Sequence, residues 1–308
     1  MTTDTQQKTL DLIKQHFFTP RDWLRFYVSE MLKADIHFGH GCTNALDESV
    51  YLIQATLQLP VSDISPFLDA KLLPYEHDKL FEVLSRRIHQ REPAAYIVGE
   101  AWLAGHNFRV DPRVIIPRSF IAELLQDNLS PWVEDEQAPL RILDLCTGSG
   151  CLGILSAITF PNAQIDCIDL SAQALEVAQL NIQKYDLEKR IRLIQSNLFE
   201  KTPKAQWDII LTNPPYVNSQ SMTKLPAEYL HEPNLALAGG DEGLDLIRPI
   251  LHQSHAHLSD NGFLICELGH EKQFFESHYP NLPVVWLEVS AGHDQVFMIR
   301  KEDLPLKV

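Results

Sequence analysis

A weak nucleophile could be activated by four consecutive residues, Asn213, Pro214, Pro215 and Tyr216. The lone pair of a planar amide or amino nitrogen is delocalised, so two acceptors facing its hydrogens would orient the group and favour density on nitrogen. The Asn213 side-chain oxygen and the Pro214 carbonyl, fixed by two prolines, could be those acceptors. Tyr216 could pack on the planar group and exclude water. These residues predict methylation of a planar nitrogen; the alternative is a turn that merely ends a strand.

A glycine-rich segment lies upstream of these residues and could hold a cofactor. It reads D-L-C-T-G-S-G and includes Asp144, Cys146, Thr147, Gly148 and Gly150. Glycines let the backbone approach a ligand closely. The carboxylate at its start could accept a hydrogen bond from the ammonium group of S-adenosylmethionine. After methyl transfer this cofactor would leave as S-adenosylhomocysteine. The segment therefore favours a cofactor with an amino-acid end and a sulfonium.

The same glycines permit another interpretation. Gly148, Gly150 and Gly153 satisfy the dinucleotide pattern G-x-G-x-x-G, and Asp169 follows at a suitable distance. A dehydrogenase, or a cofactor-binding scaffold without catalysis, is therefore an alternative. The acidic residue ahead of the glycines argues against a pyrophosphate at this position.

Two further strand ends carry polar residues that suit this cofactor. Asp169 would hold the ribose hydroxyls, with Leu170 beside it, although a helix N-cap is the competing role. Asn197 could bond the adenine amino group, with Leu198 or Phe199 against the ring. These residues extend the predicted cofactor site along one edge of a sheet.

The elements that must position these residues alternate between strand and helix from residue 140 onward. Parallel strands are expected at Arg141–Leu145, Gln164–Asp169, Ile191–Gln195, Trp207–Thr212 and Gly262–Glu267, and helices at Leu152–Phe160, Ala172–Lys184 and Leu244–Leu258. Two final strands, Val284–Val289 and Gln295–Arg300, follow each other too closely for a crossover helix and should be antiparallel. The fold class is therefore α/β, with the site at the carboxyl ends of the strands.

The chain before this region has a different character. Residues 1–93 show helical spacing of apolar residues and predict a small helical domain for substrate recognition. Residues 94–118 predict a linking hairpin that contains the β-like pieces Ala95–Gly99 and Phe108–Val110. Residues 119–308 form the predicted catalytic domain.

Charge is distributed unevenly between the two parts of the chain. Residues 1–120 hold 13 Lys and Arg against 15 Asp and Glu, whereas residues 121–308 hold 13 against 26. An acidic catalytic half, with a net charge of −13, argues against free nucleic acid and favours a basic protein partner. Acidity that merely maintains solubility is the alternative.

The composition also limits the kinds of binding site and the cellular location to be expected. The five cysteines are an odd number without a C-x-x-C pair, which predicts neither a disulfide framework nor a zinc site and favours a cytoplasmic location. Apolar runs are too short for a transmembrane helix, so no membrane partner is expected. The histidines lack acidic or cysteine partners at ligand spacing, so no metal is expected either.

Taken together, the motifs resemble those of the HemK-like family of protein glutamine methyltransferases. The resemblance covers most of the chain and includes Ile116-Pro117-Arg118, the glycine segment, Asp169, the N-P-P-Y residues and the strand end Ile265–Gly269. It implies a Rossmann-like class I methyltransferase sheet with an antiparallel last strand, preceded by a small helical domain and a hairpin. It also implies that the N-P-P-Y residues hold a glutamine amide.

Two departures indicate which branch of the family this sequence resembles. Ser119 follows Pro117-Arg118 where the release-factor branch usually continues P-D-T-E, and Cys146 replaces a glycine of that branch. Both variants are similar to the branch that methylates a glutamine of large-subunit ribosomal protein three. Release-factor glutamine methylation and amino methylation of a nucleic-acid base stay as alternatives. The sequence leaves open which glutamine is modified, how the helices bind the substrate, and the oligomeric state.

Overall fold

The computed structural model describes residues 3–203 and 205–305, so the outermost residues of the first and last predicted domains lie outside it. The chain divides into two compact units. The first ends at Glu100 and also includes Pro226–His231, and the second comprises Ala101–Leu225 and the chain from Glu232 onward. The domain boundaries at residues 93 and 118 stay predictions. In the described part of the chain, no helix combines the length and hydropathy needed to cross a bilayer.

The first unit is helical, as the apolar spacing predicts. Its helices are α1 (Thr3–His16), α2 (Pro20–Lys33), α3 (Ala45–Leu57), α4 (Pro74–His89) and α5 (Ala94–Val98). Asn44 is the N-cap of α3, and its side chain accepts a hydrogen bond from the Asp47 backbone N–H. The core of this unit surrounds the fully buried Trp23 and Tyr27. The apolar stripes of these helices therefore bury one another.

The expected strand at Ala95–Gly99 is wrong, because this stretch is mostly α5. Pro93 precedes it with a fixed φ, and two alanines of high helix propensity follow. The hairpin itself is present, but it consists of β1 (Glu100–Leu103) and β2 (His106–Arg109). Local apolar alternation was thus outweighed by the residues that start a helix.

The second unit contains a sheet flanked by helices. Its strands are β3 (Arg141–Leu145), β4 (Gln164–Asp169), β5 (Ile191–Gln195), β6 (Trp207–Thr212), β7 (Leu258–Glu267), β8 (Val285–Val289) and β9 (Gly292–Arg300). Its helices are α6 (Ile121–Gln126), α7 (Cys151–Thr159), α8 (Ala172–Lys184), α9 (Ser219–Met222), α10 (Ile247–His257) and α11 (Lys272–His278).

The strand order is β5-β4-β3-β6-β7-β9-β8. Strands β3 to β7 are parallel, and β9 is antiparallel to both β7 and β8. The predicted Rossmann-like α/β class and antiparallel final strands are confirmed. Two hydrophobic clusters, one containing Ile142 and Ile209 and the other Leu143 and Ile210, show that neighbouring residues of each strand enter different clusters. Both faces of the parallel sheet are therefore covered, as long apolar strands require.

Boundaries agree at β3 to β6 and at α8, and they differ toward the carboxyl end. The expected helix Leu244–Leu258 begins only at Ile247, and the Asp245 N–H ahead of it donates to the Gly239 carbonyl. Strand β7 begins four residues before the expected Gly262. The short helices α6, α9 and α11 had no sequence prediction.

Candidate active site

A cavity of about 140 Å³ lies at the carboxyl edge of the sheet, where ligands bind in open α/β folds. Six residues predicted to contact a cofactor line it: Cys146, Gly148, Asp169, Leu170, Asn197 and Leu198. Two predicted reaction residues, Asn213 and Pro215, line it as well. The strand ends of β3, β4, β5 and β6 therefore converge on one cavity, as their order in the sheet requires.

The glycine segment turns sharply between β3 and α7. Cys146, Gly148 and Gly150 all have left-handed backbone conformations, with φ of 63°, 55° and 80°. A Cβ added at Gly150 would lie 3.1 Å from the Cβ of Ala178, so close packing against α8 also favours glycine here. The turn is further fixed by the buried Asn181, whose amide donates to the carbonyl of Ser149. No sequence motif indicated this role of Asn181.

Asp144 lies beneath the glycine segment and is 1% exposed. Its Oδ2 accepts hydrogen bonds from the Thr147 hydroxyl and, at 2.8 Å, from the Gly153 N–H. Its Oδ1 is buried without a partner among the described residues. Burial raises the pKa of Asp144 to about 6. Asp144 and Thr147 thus support the segment, and neither lies on the described cavity wall.

Asp169, at the end of β4, connects the cavity wall to the glycine segment. Its two oxygens each accept a backbone hydrogen bond of 2.9 Å, from Gly148 and from Ser171. The helix N-cap is Ser171, whose hydroxyl accepts from the Ala174 N–H, so the capping role considered for Asp169 is wrong. Burial raises the pKa of the Asp169 carboxyl. Leu170 next to it lines the cavity and is 49% exposed.

Asn197 and Leu198 follow β5 on the cavity wall. The Asn197 amide nitrogen donates to Glu200 at 2.8 Å, which fixes the side chain. Of the two apolar residues considered for a ring contact, Leu198 lines the cavity. Phe199 instead stacks on His257 with ring centroids 4.5 Å apart. Leu198 is therefore the apolar residue of the pair on the cavity wall beside Asn197, and its contact with adenine stays a prediction.

The N-P-P-Y residues follow β6 directly. The Asn213 side chain has no hydrogen-bond partner within the described structure, and neither has the Pro214 carbonyl. The Tyr216 hydroxyl donates to Glu267 at 3.1 Å, and the described cavity wall includes Pro215 but not Tyr216. Two acceptors are therefore left unused, while the tyrosine is held by a carboxylate. The role of Tyr216 as a ring wall stays a prediction.

Two wall segments had no predicted role. One comprises residues 113–115, and the other includes Pro233, Leu235 and Ala236. Arg118 follows the first segment closely, and the buried Glu232 directly precedes the second. The two residues form a bidentate ion pair at 2.6 and 2.8 Å, which links the segments. The arginine of the I-P-R motif was a visible signal for the first segment, whereas residues 233–236 carry no recognisable motif.

Comparison with known sequences identifies relatives over nearly the whole chain. A ribosomal protein uL3 glutamine methyltransferase from Bordetella pertussis is 50% identical over 291 residues, which cover 94% of this chain and 98% of the relative. The Burkholderia pseudomallei enzyme of the same name is 49% identical over 296 residues, with 94% and 96% covered. The chain belongs to the ribosomal protein uL3 glutamine methyltransferase family.

Membership of the uL3 glutamine methyltransferase family makes this chain an enzyme and a methyltransferase. The resemblance to glutamine methyltransferases is thereby confirmed, and the dehydrogenase and non-catalytic alternatives are wrong. Residues 122–242 match the family model described as Methyltransferase small domain, a range that contains the glycine segment and the N-P-P-Y residues. A solved methyltransferase from Pyrococcus furiosus gives a TM-score of 0.46 at 15% identity, covering 63% of this chain and 88% of that chain. The strand order, rather than this likeness, defines the fold.

Proposed function

We propose that this enzyme transfers a methyl group from S-adenosylmethionine to the side-chain amide nitrogen of a glutamine in ribosomal protein uL3. The observation that carries the proposal is a pair of acceptors without a hydrogen-bond partner in the described structure: the Asn213 side chain, on the cavity wall, and the carbonyl of Pro214, the next residue. A primary amide has two N–H donors, and these two acceptors suit both of them.

The charges and the hydrogen-bonding groups around the cavity suit S-adenosylmethionine. Asp169 would accept hydrogen bonds from the ribose hydroxyls, because each of its oxygens retains a second lone pair. Asn197 and Leu198 would contact adenine. Asp144 would interact with the ammonium, directly or through water, since its buried Oδ1 has no partner among the described residues. The bound cofactor supplies an electrophilic methyl carbon on a sulfonium.

The chemistry asked of the protein is mainly positioning. With both amide hydrogens bonded, the nitrogen lone pair can be directed at the methyl carbon. A carbon–nitrogen bond forms while the carbon–sulfur bond breaks, and its electron pair stays on sulfur. The methylated nitrogen then loses a proton to solvent, so the site needs no strong base. Asn213 and Pro214 would act earlier, by orienting the substrate amide for methyl transfer.

Ribosomal protein uL3 is the proposed substrate because relatives about half identical to this chain carry that name. The net charge of −13 over residues 121–308 supports a basic partner through faster electrostatic encounter. A ribosomal substrate also supports a cytoplasmic location. Release factor and nucleic-acid bases are the competing acceptors.

The proposal is tested by offering three acceptors to the purified full-length enzyme with methyl-labelled S-adenosylmethionine. The acceptors are unmodified uL3, release factor, and a mixture of single- and double-stranded oligonucleotides. We expect label on a glutamine of uL3, located by mass spectrometry. Label on release factor or on a base, with none on uL3, would contradict the proposed substrate.

Replacing Asp169 with alanine is expected to weaken S-adenosylmethionine binding by about 10-fold or more, since hydrogen bonds to a charged group are worth roughly 1.5–3 kcal/mol. Isothermal titration measures the dissociation constant. Asp166→Asn is the matched control, because Asp166 lies on the same strand but bonds Arg192 and Trp207. An unchanged dissociation constant for Asp169→Ala would restrict Asp169 to holding the glycine segment.

Cofactor affinity is expected to fall as the pH falls below about 6, because Asp144 then takes up a proton and no longer attracts the ammonium. The raised pKa of Asp144 has the opposite effect on the folding stability of the free enzyme. Protonated Asp144 contributes to the free energy of unfolding at low pH, and this contribution is lost as the pH rises through about 6. Titrations at several pH values are compared with Asp144→Asn, which should bind more weakly at neutral pH and show a smaller dependence. An equal dependence in both proteins would exclude Asp144 as its cause.

A further inference from the structure

Glu267 ends β7 beside the start of the N-P-P-Y residues. Strands β6 and β7 are parallel, and Thr212 is in register with Cys266. The next residues, Asn213 and Glu267, therefore leave neighbouring strands at the same level. Glu267 lies outside the range matched by the family model. Neither it nor Tyr216 is on the described cavity wall.

The Glu267 carboxylate is 1% exposed and accepts three hydrogen bonds. One oxygen accepts from the Tyr216 hydroxyl at 3.1 Å. The other accepts from the Ser119 hydroxyl at 2.6 Å and from the Phe120 N–H at 2.9 Å. A buried carboxylate is costly unless its lone pairs are used, and here the donors come from two distant parts of the chain. Glu267 therefore fixes the Tyr216 hydroxyl relative to residues 119–120.

The other side of the Tyr216 ring is also enclosed. Gly269 has a left-handed backbone, with φ of 56°, and a Cβ built on it would overlap the ring. The backbone can approach the ring closely only because this residue is glycine. The ring is thus held at its hydroxyl by Glu267 and along its edge by Gly269.

We propose that Glu267 is a positioning residue for methyl transfer. By holding the Tyr216 ring it fixes the backbone of the N-P-P-Y turn, and through that backbone the Pro214 carbonyl and the Asn213 amide. This inference rests on the proposed function, in which those two groups orient the substrate amide. Glu267 itself does not touch substrate, so its removal should slow the chemical step and leave cofactor binding intact.

The test is a double-mutant cycle on full-length enzyme with Glu267→Gln, Tyr216→Phe and both together. Single-turnover methyl transfer is measured with whichever acceptor the wild type labels. We expect Glu267→Gln to lower the rate by about 10- to 100-fold, since displacements of about 1 Å can have such effects. The dissociation constant of S-adenosylmethionine should change by no more than about 2-fold. In Glu267→Gln the single amide oxygen is needed by the Phe120 N–H, so an NH2 group faces Tyr216 and cannot accept from its hydroxyl. Both single variants therefore lose the same Tyr216-to-carboxylate hydrogen bond, and the double variant should lose little more than either of them.

Glu271→Gln is the matched control. Glu271 is similarly buried, at 5% exposure, and accepts from Asn218 outside the N-P-P-Y turn, which an amide oxygen can still do. Its rate should stay within about 2-fold of the wild type. An unchanged rate in Glu267→Gln, or effects that multiply in the double variant, would overturn the inference. If Glu267→Gln fails to fold, Tyr216→Phe decides alone: an unchanged rate overturns the inference. A wild-type enzyme that labels no acceptor would instead refute the proposed function.

Discussion

Replacing Asn213 with alanine should leave S-adenosylmethionine binding nearly intact while reducing methyl transfer by about 100-fold or more. The variant removes one of the two acceptors that would orient the substrate amide, and that side chain has no other partner in the described structure. Losing one preorganised hydrogen-bonding group at a reaction centre typically costs about 10²- to 10³-fold in rate. The measurement is single-turnover transfer, with cofactor affinity determined separately by titration.

Asn197→Ala supplies a control of the same residue type in the same cavity. Asn197 lies at the end of β5, and its amide bonds Glu200. Its loss should change cofactor affinity and leave the rate at saturating cofactor within about 3-fold, because only uniform binding is removed. Near-normal turnover in Asn213→Ala would contradict the proposed chemistry. A rate loss as large in Asn197→Ala would show that the cavity tolerates no truncation and that Asn213 has no special part.

Replacing Arg87 with alanine should lower the free energy of unfolding of the helical unit by about 3–5 kcal/mol, because it leaves the buried carboxylate of Glu48 without its ion-pair partner. Glu228 loses one of its two arginine partners and keeps Arg91. Arg87 is 1% exposed and bonds Glu48 at 2.5 Å, Glu228 at 3.2 Å and the His37 carbonyl at 2.9 Å. Both carboxylates are buried. Urea unfolding of the full chain, followed by circular dichroism, measures the loss.

Arg86→Ala is the control for this substitution. Arg86 precedes Arg87 on α4 and forms an ion pair with Glu92, but its side chain is 33% exposed. Water can replace the lost partner there, so we expect a loss of about 1 kcal/mol or less. Equal losses in the two variants would show that burial of the Arg87 cluster adds nothing.

The sequence predicted the central part of the sheet well for a physical reason. Strands β3, β4 and β6 lie inside the sheet and are largely buried, so each reads as a short apolar run, and polar residues mark its end. The edge strand β5 is only partly buried. The carboxyl ends of parallel strands share one edge. Asp169, Asn197 and Asn213 could therefore be assigned to one cavity before their distances were known, although their individual roles stay predictions.

Other features depend on residues that are distant in the chain and leave no local pattern. Tyr216 and Glu267 are 51 positions apart, and Asn181 supports a turn 32 positions earlier. Among the described residues only Oδ2 of Asp144 accepts hydrogen bonds, and a sequence does not show how the two carboxylate oxygens are used. Helix α5 was missed because five residues are too few for a helical period to appear.

The membership of Pro226–His231 in the helical unit has a practical consequence for anyone who wishes to dissect this enzyme. A fragment that stops at Glu100 would lack Glu228, and Arg87 and Arg91 would lose a buried partner. A fragment that starts at Ala101 would carry a hexapeptide whose contacts had been cut away. The two units therefore cannot be separated with a single cut of the gene. Expressing the helical unit alone requires residues 226–231 to be joined to it by a designed linker.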